Sequence, residues 1–216
     1  MLASGEITNF ISDDELQKVK KVMSSLPKND TGATYFGSIG EGHQLMSWFE
    51  KIFLHKIREF FDPQVKLLFG GYCNEIKPFG IHSDYYHKRV GEPYMAILVP
   101  ISVDETLEKM HLSKTIIFDQ EDTYVDDKSH DQRRNSRKPK DFLTTVLENN
   151  SSSMHEEELS HCDQADLERL TIDKVIPWVY GNAIYWDEKK LHCSNNFHKQ
   201  GINNKQHIIM HTYKEE

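Results

Sequence analysis

Apolar residues recur along this chain with two different periods, and the changes between them divide it into elements. Leu16, Val19 and Met23 keep the spacing of one helical face. They follow Ser12-Asp13-Asp14-Glu15, where a serine answered three positions later by glutamate forms a capping box, so a helix is expected to about Leu26. A second helix is expected from about Gln44 to Phe61. Leu45, Trp48, Phe49, Ile52, Phe53, Ile57 and Phe60 share one of its faces, and Asp62-Pro63 stops it. That apolar stripe should pack against the outside of a sheet. Between the helices, Tyr35 to Gly42 carries too many glycines for either element and contains no phosphate-binding fingerprint. It reads as an edge strand and loop near a barrel mouth.

Further along, the period shortens. Pro93 to Ile101 and Thr115 to Phe118 are short apolar runs that suit buried strands, Gly181 to Trp186 reads as another, and Gln206 to Tyr213 alternates. A meander of such strands with two flanking helices predicts a mostly β fold with flanking α. The expected form is a double-stranded β-helix (a jelly-roll, cupin-like barrel) with the N-terminal helices packed outside. From Asp119 to about Thr171 the chain turns polar, as an insert or lid within the barrel would. Phe142, Leu143, Val146 and Leu147, then Leu159, Leu167 and Leu170, suggest short helices within it. A chain of 216 residues fits one domain, 1–216, with residues 1–65 as helical support and 119–171 as the insert.

The chemistry is concentrated in His82-Ser83-Asp84 and in His192, which follows the Gly181–Trp186 strand. In an extended segment residues i and i+2 share a face, so His82 and Asp84 can reach one metal while Ser83 turns away. With His192 they make two imidazoles and one carboxylate, the donor set that leaves three faces of an octahedral Fe(II) open. Lys205 lies 13 residues beyond His192 at the head of an alternating run. A lysine entering a barrel is costly to bury unpaired, and the far carboxylate of a dicarboxylate is a natural partner.

This order of His-x-Asp, distal His and a basic residue about a dozen positions on resembles the Fe(II)/2-oxoglutarate-dependent dioxygenases. Within them it looks most like the prolyl 4-hydroxylase-like branch, which anchors the co-substrate with lysine. Tyr72, ten residues before His82, is similar to a tyrosine of that branch that contacts 2-oxoglutarate. Thr115-Ile116-Ile117-Phe118 resembles its Thr-x-Phe strand. The likeness covers about residues 66–120 and 174–214. It departs from the pattern in lacking a Gly-Gly before Thr115 and in the 107 residues that separate Asp84 from His192.

The resemblance implies Fe(II) held by His82, Asp84 and His192, with 2-oxoglutarate and O2 as co-substrates. It implies 2-oxoglutarate anchored by Lys205, with Tyr72 or Thr115 as hydroxyl partners and His207, on the face of Lys205, assisting. Tyr86, on the face of His82 and Asp84, would line the substrate pocket. The implied reaction is hydroxylation of a small molecule or an amino-acid residue, with release of succinate and CO2. The ionisable Asp84 in the ligand set disfavours halogenation. A 2-oxoglutarate-independent cupin-type metalloenzyme and a non-catalytic metal-binding barrel are the alternatives.

Charge and cysteine content narrow the partners. A net charge of −8 argues against nucleic acid, and the one dense basic run, Arg133 to Lys140, lacks interleaved aromatics and reads as a solvated loop. Cys73, Cys162 and Cys193 are an odd number and make no disulfide framework. With no signal-like leader and no long apolar run, the expectation is a cytoplasmic protein without a membrane partner. Cys193 beside His192 should face the other way, as a small packing residue. Oligomeric state is open.

Overall fold

Eight strands in two antiparallel sheets carry the described part of the chain, residues 4–24, 44–84, 91–121 and 157–215 of a computed structural model. The strands are β1 (Gly5–Ile7), β2 (Lys66–Glu75), β3 (Glu92–Val103), β4 (Lys114–Glu121), β5 (Ile172–Pro177), β6 (Ala183–Asp187), β7 (Lys190–Ser194) and β8 (Lys205–Lys214). Their order is β1-β6-β3-β8-β2 in the larger sheet and β5-β4-β7 in the smaller. This is not the meander expected from the sequence. Only β4 and β5 are consecutive strands paired side by side, while β6, β7 and β8 each lie in the sheet opposite their predecessor. That winding makes a jelly-roll, with two sheets face to face and a cavity between them.

Alternation along the strands sorts side chains into three layers. On β3, Met95, Ile97, Val99 and Ile101 face a helical layer, and Ala96 and Leu98 face the space between the sheets. On β8, Ile208 and Met210 face the helices and Ile209 faces inward. Because both faces are covered, β3 reads in sequence as a continuous apolar run. Pro100 sits inside it, at a bulge in the pairing with β8 and beyond Leu98, the last residue paired to β6. A residue without an N–H is tolerated at such a place.

The helical layer follows the apolar periodicity. Helix α1 (Asp13–Ser24) starts in the expected capping box. The Ser12 backbone N–H donates to Glu15 Oε2 at 2.9 Å, and the Ser12 hydroxyl accepts from the Glu15 N–H at 3.4 Å. Glu15 also pairs with Lys56 at 2.6 Å, tying α1 to the second helical run. That run is α2 (Gln44–Phe49), a π-helical stretch (Glu50–Leu54) and α3 (His55–Phe60). Phe49, Phe53 and Ile57 are fully buried against the larger sheet, whereas Phe60, assigned to the same stripe, is 48% exposed. Gly70 on β2 lets the Phe49 ring approach, since a Cβ there would meet it at 2.9 Å.

Of the polar insert, residues 119–121, the end of β4, and residues 157–171 are described. The latter hold a short helix (Gln164–Leu167) capped by Asp163, and they bury Leu159 and Leu167 against the outer face of the smaller sheet. Tyr35–Gly42, Tyr86, Arg133–Lys140 and Phe142–Leu147 lie outside the described residues, so the readings placed on them do too. Among the described residues no helix is long and apolar enough to cross a membrane.

Truncating Phe53, which stacks on Phe10 at 6.1 Å and meets Phe49 at 5.6 Å, tests the helical layer. Phe53→Ala is expected to cost about 3–5 kcal/mol in urea unfolding, while leaving the donor cluster between the sheets in place.

Candidate metal centre

His82 and His192 are paired directly across an isolated antiparallel bridge. The His82 N–H donates to His192 O at 3.0 Å, and the His192 N–H donates to His82 O at 2.9 Å. Directly opposed residues put their side chains on one face, so backbone pairing alone brings both imidazoles together. The extended strand expected around His82 is reduced to this one bridge. Asp84 is placed instead by its N–H, which donates to Glu188 O at 3.2 Å.

The imidazole tautomers follow from the backbone. His82 Nδ1 lies 2.8 Å from Gly80 O and His192 Nδ1 lies 3.1 Å from Lys190 O. A carbonyl can only accept, so each Nδ1 carries the proton and each Nε2 presents a lone pair. Both Nε2 atoms face the same carboxylate: His192 Nε2 is 3.4 Å from Asp84 Oδ2, and His82 Nε2 is 4.0 Å from Oδ1. The three donor atoms all lie within 4.8 Å of one another. Two nitrogens and one oxygen with fixed lone pairs fit a divalent transition metal.

The surroundings hold these groups in the forms a metal needs. Burial opposes ionisation of Asp84, but the fields of His192, His211 and His82 and the Trp186 N–H outweigh it and keep the carboxyl below its usual range. Trp186 Nε1 donates to Asp84 Oδ2 at 3.2 Å, and its ring packs on His192 at 4.6 Å. Burial lowers the His192 imidazole to about 4, a shift that Asp84 only partly offsets. His192 is therefore neutral and able to ligate at neutral pH. His82 is a third exposed, so the centre opens to solvent on its side.

The same cavity is lined by Thr115, Lys205 and His207. The Thr115 hydroxyl accepts from Trp178 Nε1 at 3.0 Å, which leaves its own proton to donate. Lys205 is 2% exposed, with its ammonium 4.3 Å from the Trp178 ring centre. That ammonium already has a carboxylate: Glu75 Oε2 lies 2.9 Å away, and Glu75 Oε1 lies 3.5 Å from His207 Nε2. A buried ammonium without such a partner would be strongly destabilising.

Tyr72 does not join this group. Cys73 and Glu75 line the cavity, and by alternation Tyr72, next to Cys73 on β2, faces away, packed against the helix-side core. Glu75 and Trp186 are the contributors that the sequence reading missed. No motif signals Glu75, whereas Trp186 stood in a recognised strand, on the parity of the inward-facing Ile184. Cys193 turns its side chain to the outer face of β7, as expected. There it meets Cys162 and His161, which form a second convergent trio. In that trio His161 Nε2 lies 3.0 Å from Phe79 O, so its proton is committed to the backbone.

No protein-family model and no curated protein sequence matches the chain. Solved structures do. HygX from Streptomyces hygroscopicus, with nickel, 2-oxoglutarate and hygromycin B bound, matches at a TM-score of 0.57 and 12% identity, over 98% of this chain and 82% of that one. The non-heme alpha-ketoglutarate-dependent epimerase SnoN from nogalamycin biosynthesis matches at 0.57 and 8%, over 98% and 78%. EvdO2 from Micromonospora carbonacea var. aurantiaca, complexed with 2-oxoglutarate, matches at 0.53 and 9%, over 97% and 86%. The chain therefore has the jelly-roll fold that these proteins share.

A pH dependence follows from His192 and from His207, which burial also lowers to about 4 from 6.5. Between those values the unfolded chain binds protons that the folded chain refuses, so stability falls as pH drops. The metal-free protein is expected to lose roughly 2 kcal/mol per pH unit from these two groups between pH 6 and 5. Urea midpoints measured across that range check it, and a flat profile would contradict the assignment.

Proposed function

We propose that the chain is an Fe(II)- and 2-oxoglutarate-dependent oxygenase that oxidises a C–H bond of its substrate. The observation that supports this most is the pair of Nε2 lone pairs facing the Asp84 carboxylate, in a cavity that also holds a buried lysine. The shared fold supports it as well, because HygX and EvdO2 bind 2-oxoglutarate on that fold. His82, Asp84 and His192 would hold the iron. When bound, iron supplies the coupling of 2-oxoglutarate decarboxylation, to succinate and CO2, with oxidation of substrate by O2.

The remaining steps belong to the protein's own groups. Lys205 provides the cation for the distal carboxylate, and the Thr115 hydroxyl has a proton to donate beside it. Trp186 holds Asp84 through its indole N–H and covers the His192 ring, keeping water from that side. Hydroxylation of a small molecule or of an amino-acid residue is the finer reading we propose. SnoN is an epimerase on the same fold, so the fold itself does not select hydroxylation. We propose a cytoplasmic location and no nucleic-acid partner, in keeping with the net charge of −8. One observation favours a second reading, a 2-oxoglutarate-independent metalloenzyme: Glu75 already neutralises Lys205.

Anaerobic titration of the Fe(II)-loaded protein with 2-oxoglutarate separates the two readings. The oxygenase reading expects the weak visible charge-transfer band of a chelated 2-oxo acid, absent in His192→Ala. Lys205→Ala should keep its iron and bind 2-oxoglutarate roughly 10- to 100-fold more weakly, because it leaves the Glu75 carboxylate unpaired beside the incoming anion. Bound iron with no band in the wild type would favour the second reading.

A further inference from the structure

Glu75 and Lys205 are direct cross-strand partners, in a ladder that also pairs Cys73 with His207. Their charges meet at 2.9 Å with both side chains almost wholly buried, at 7% and 2% exposure. Both line the cavity that contains His82, Asp84 and His192. His207 beside them is neutral at pH 7, since burial holds it near 4, so it adds no cation. The trio therefore offers an incoming anion no net charge. With a divalent metal on Asp84 the cavity would carry one positive charge, whereas a 2-oxo dicarboxylate brings two negative ones. Freed from Glu75, Lys205 would supply the missing positive charge.

Two details suggest that the pair is not locked. Glu75 Oε2 is buried and close to the ammonium yet makes no hydrogen bond of good geometry, and His207 Nδ1 is buried without a hydrogen-bond partner. Glu75 is also the last residue of β2, followed by the exposed Ile76, so a side-chain rotation can release Lys205 without opening the ladder.

We propose that Glu75 is a specificity-determining residue: an internal carboxylate that occupies Lys205 and competes with the distal carboxylate of a 2-oxo dicarboxylic acid. This rests on the reading of the site as a 2-oxoglutarate site. In the resting protein Lys205 is masked, so the site distinguishes poorly between 2-oxoglutarate and a 2-oxo acid with no distal charge. Removing the Glu75 charge unmasks the lysine.

The test compares anaerobic affinities of the Fe(II)-loaded protein for 2-oxoglutarate and for 2-oxobutanoate in the wild type, Glu75→Gln and the double variant Glu75→Gln/Lys205→Gln. In Glu75→Gln, 2-oxoglutarate should bind roughly tenfold tighter or better, with 2-oxobutanoate changed by less than about twofold. The double variant should lose that gain and show nearly the weak preference of the wild type. The thermal midpoint of Glu75→Gln should rise more with 2-oxoglutarate than that of the wild type does. Equal shifts for both acids, or no gain for 2-oxoglutarate, would overturn the proposal and leave Glu75 a structural counter-ion. So would a wild type that prefers 2-oxoglutarate far more strongly than the double variant does, a comparison that stands even if Glu75→Gln does not fold. If neither acid binds any of these proteins while iron is retained, the reading of the site fails, and this proposal with it.

Discussion

Two backbone hydrogen bonds, exchanged between His82 and His192 at 3.0 and 2.9 Å, are the constraint on which the rest of the centre depends. They join segments far apart in the sequence and set both imidazoles on one face. The neighbouring carbonyls of Gly80 and Lys190 then fix which nitrogen of each ring carries the proton. Asp84 needs only the i+2 step and one bond to Glu188 to complete the set. The donors are thus positioned by main chain, which is stiffer than side-chain packing and survives changes in the residues around it.

The sheet that supplies the other wall works by parity. On β8 the even-numbered Ile208 and Met210 hold the helices, and the odd-numbered Lys205, His207, Ile209 and His211 line the cavity. One strand therefore serves as core on one side and as cavity wall on the other. The cost of placing an ammonium there is met by Glu75, from the facing position on β2. The pairing that makes the apo cavity stable also governs how much charge the cavity shows to a ligand. Stability and recognition are coupled through one ion pair.

What the sequence revealed follows the range of the interaction that carries each feature. The capping box at Ser12 and Glu15 and the Phe49–Phe53–Ile57 face are local, and both were legible. His82 and Asp84 were legible because they stand two residues apart, and His192 because it follows a strand that could be read. The inward direction of Lys205 and His207 follows from alternation within one strand. Tyr72 was misplaced because resemblance matched its distance from His82, and distance along the chain does not fix which face of β2 it occupies. Glu75 was invisible for a deeper reason: its meaning lies in register with Lys205, and register between strands so far apart is set by the whole sheet. The winding of β5 to β8 between sheets was likewise read as a meander, since strand order is absent from local patterns.

The central claim is that these three side chains form a metal centre with both imidazoles bound through Nε2. Diffraction from crystals grown anaerobically with Fe(II), with data collected at the iron absorption edge, tests it most directly. The account predicts one strong anomalous peak within about 2.2 Å of His82 Nε2, His192 Nε2 and one Asp84 oxygen. Iron seated instead between Cys162 and Cys193, or bound through either Nδ1, would contradict it.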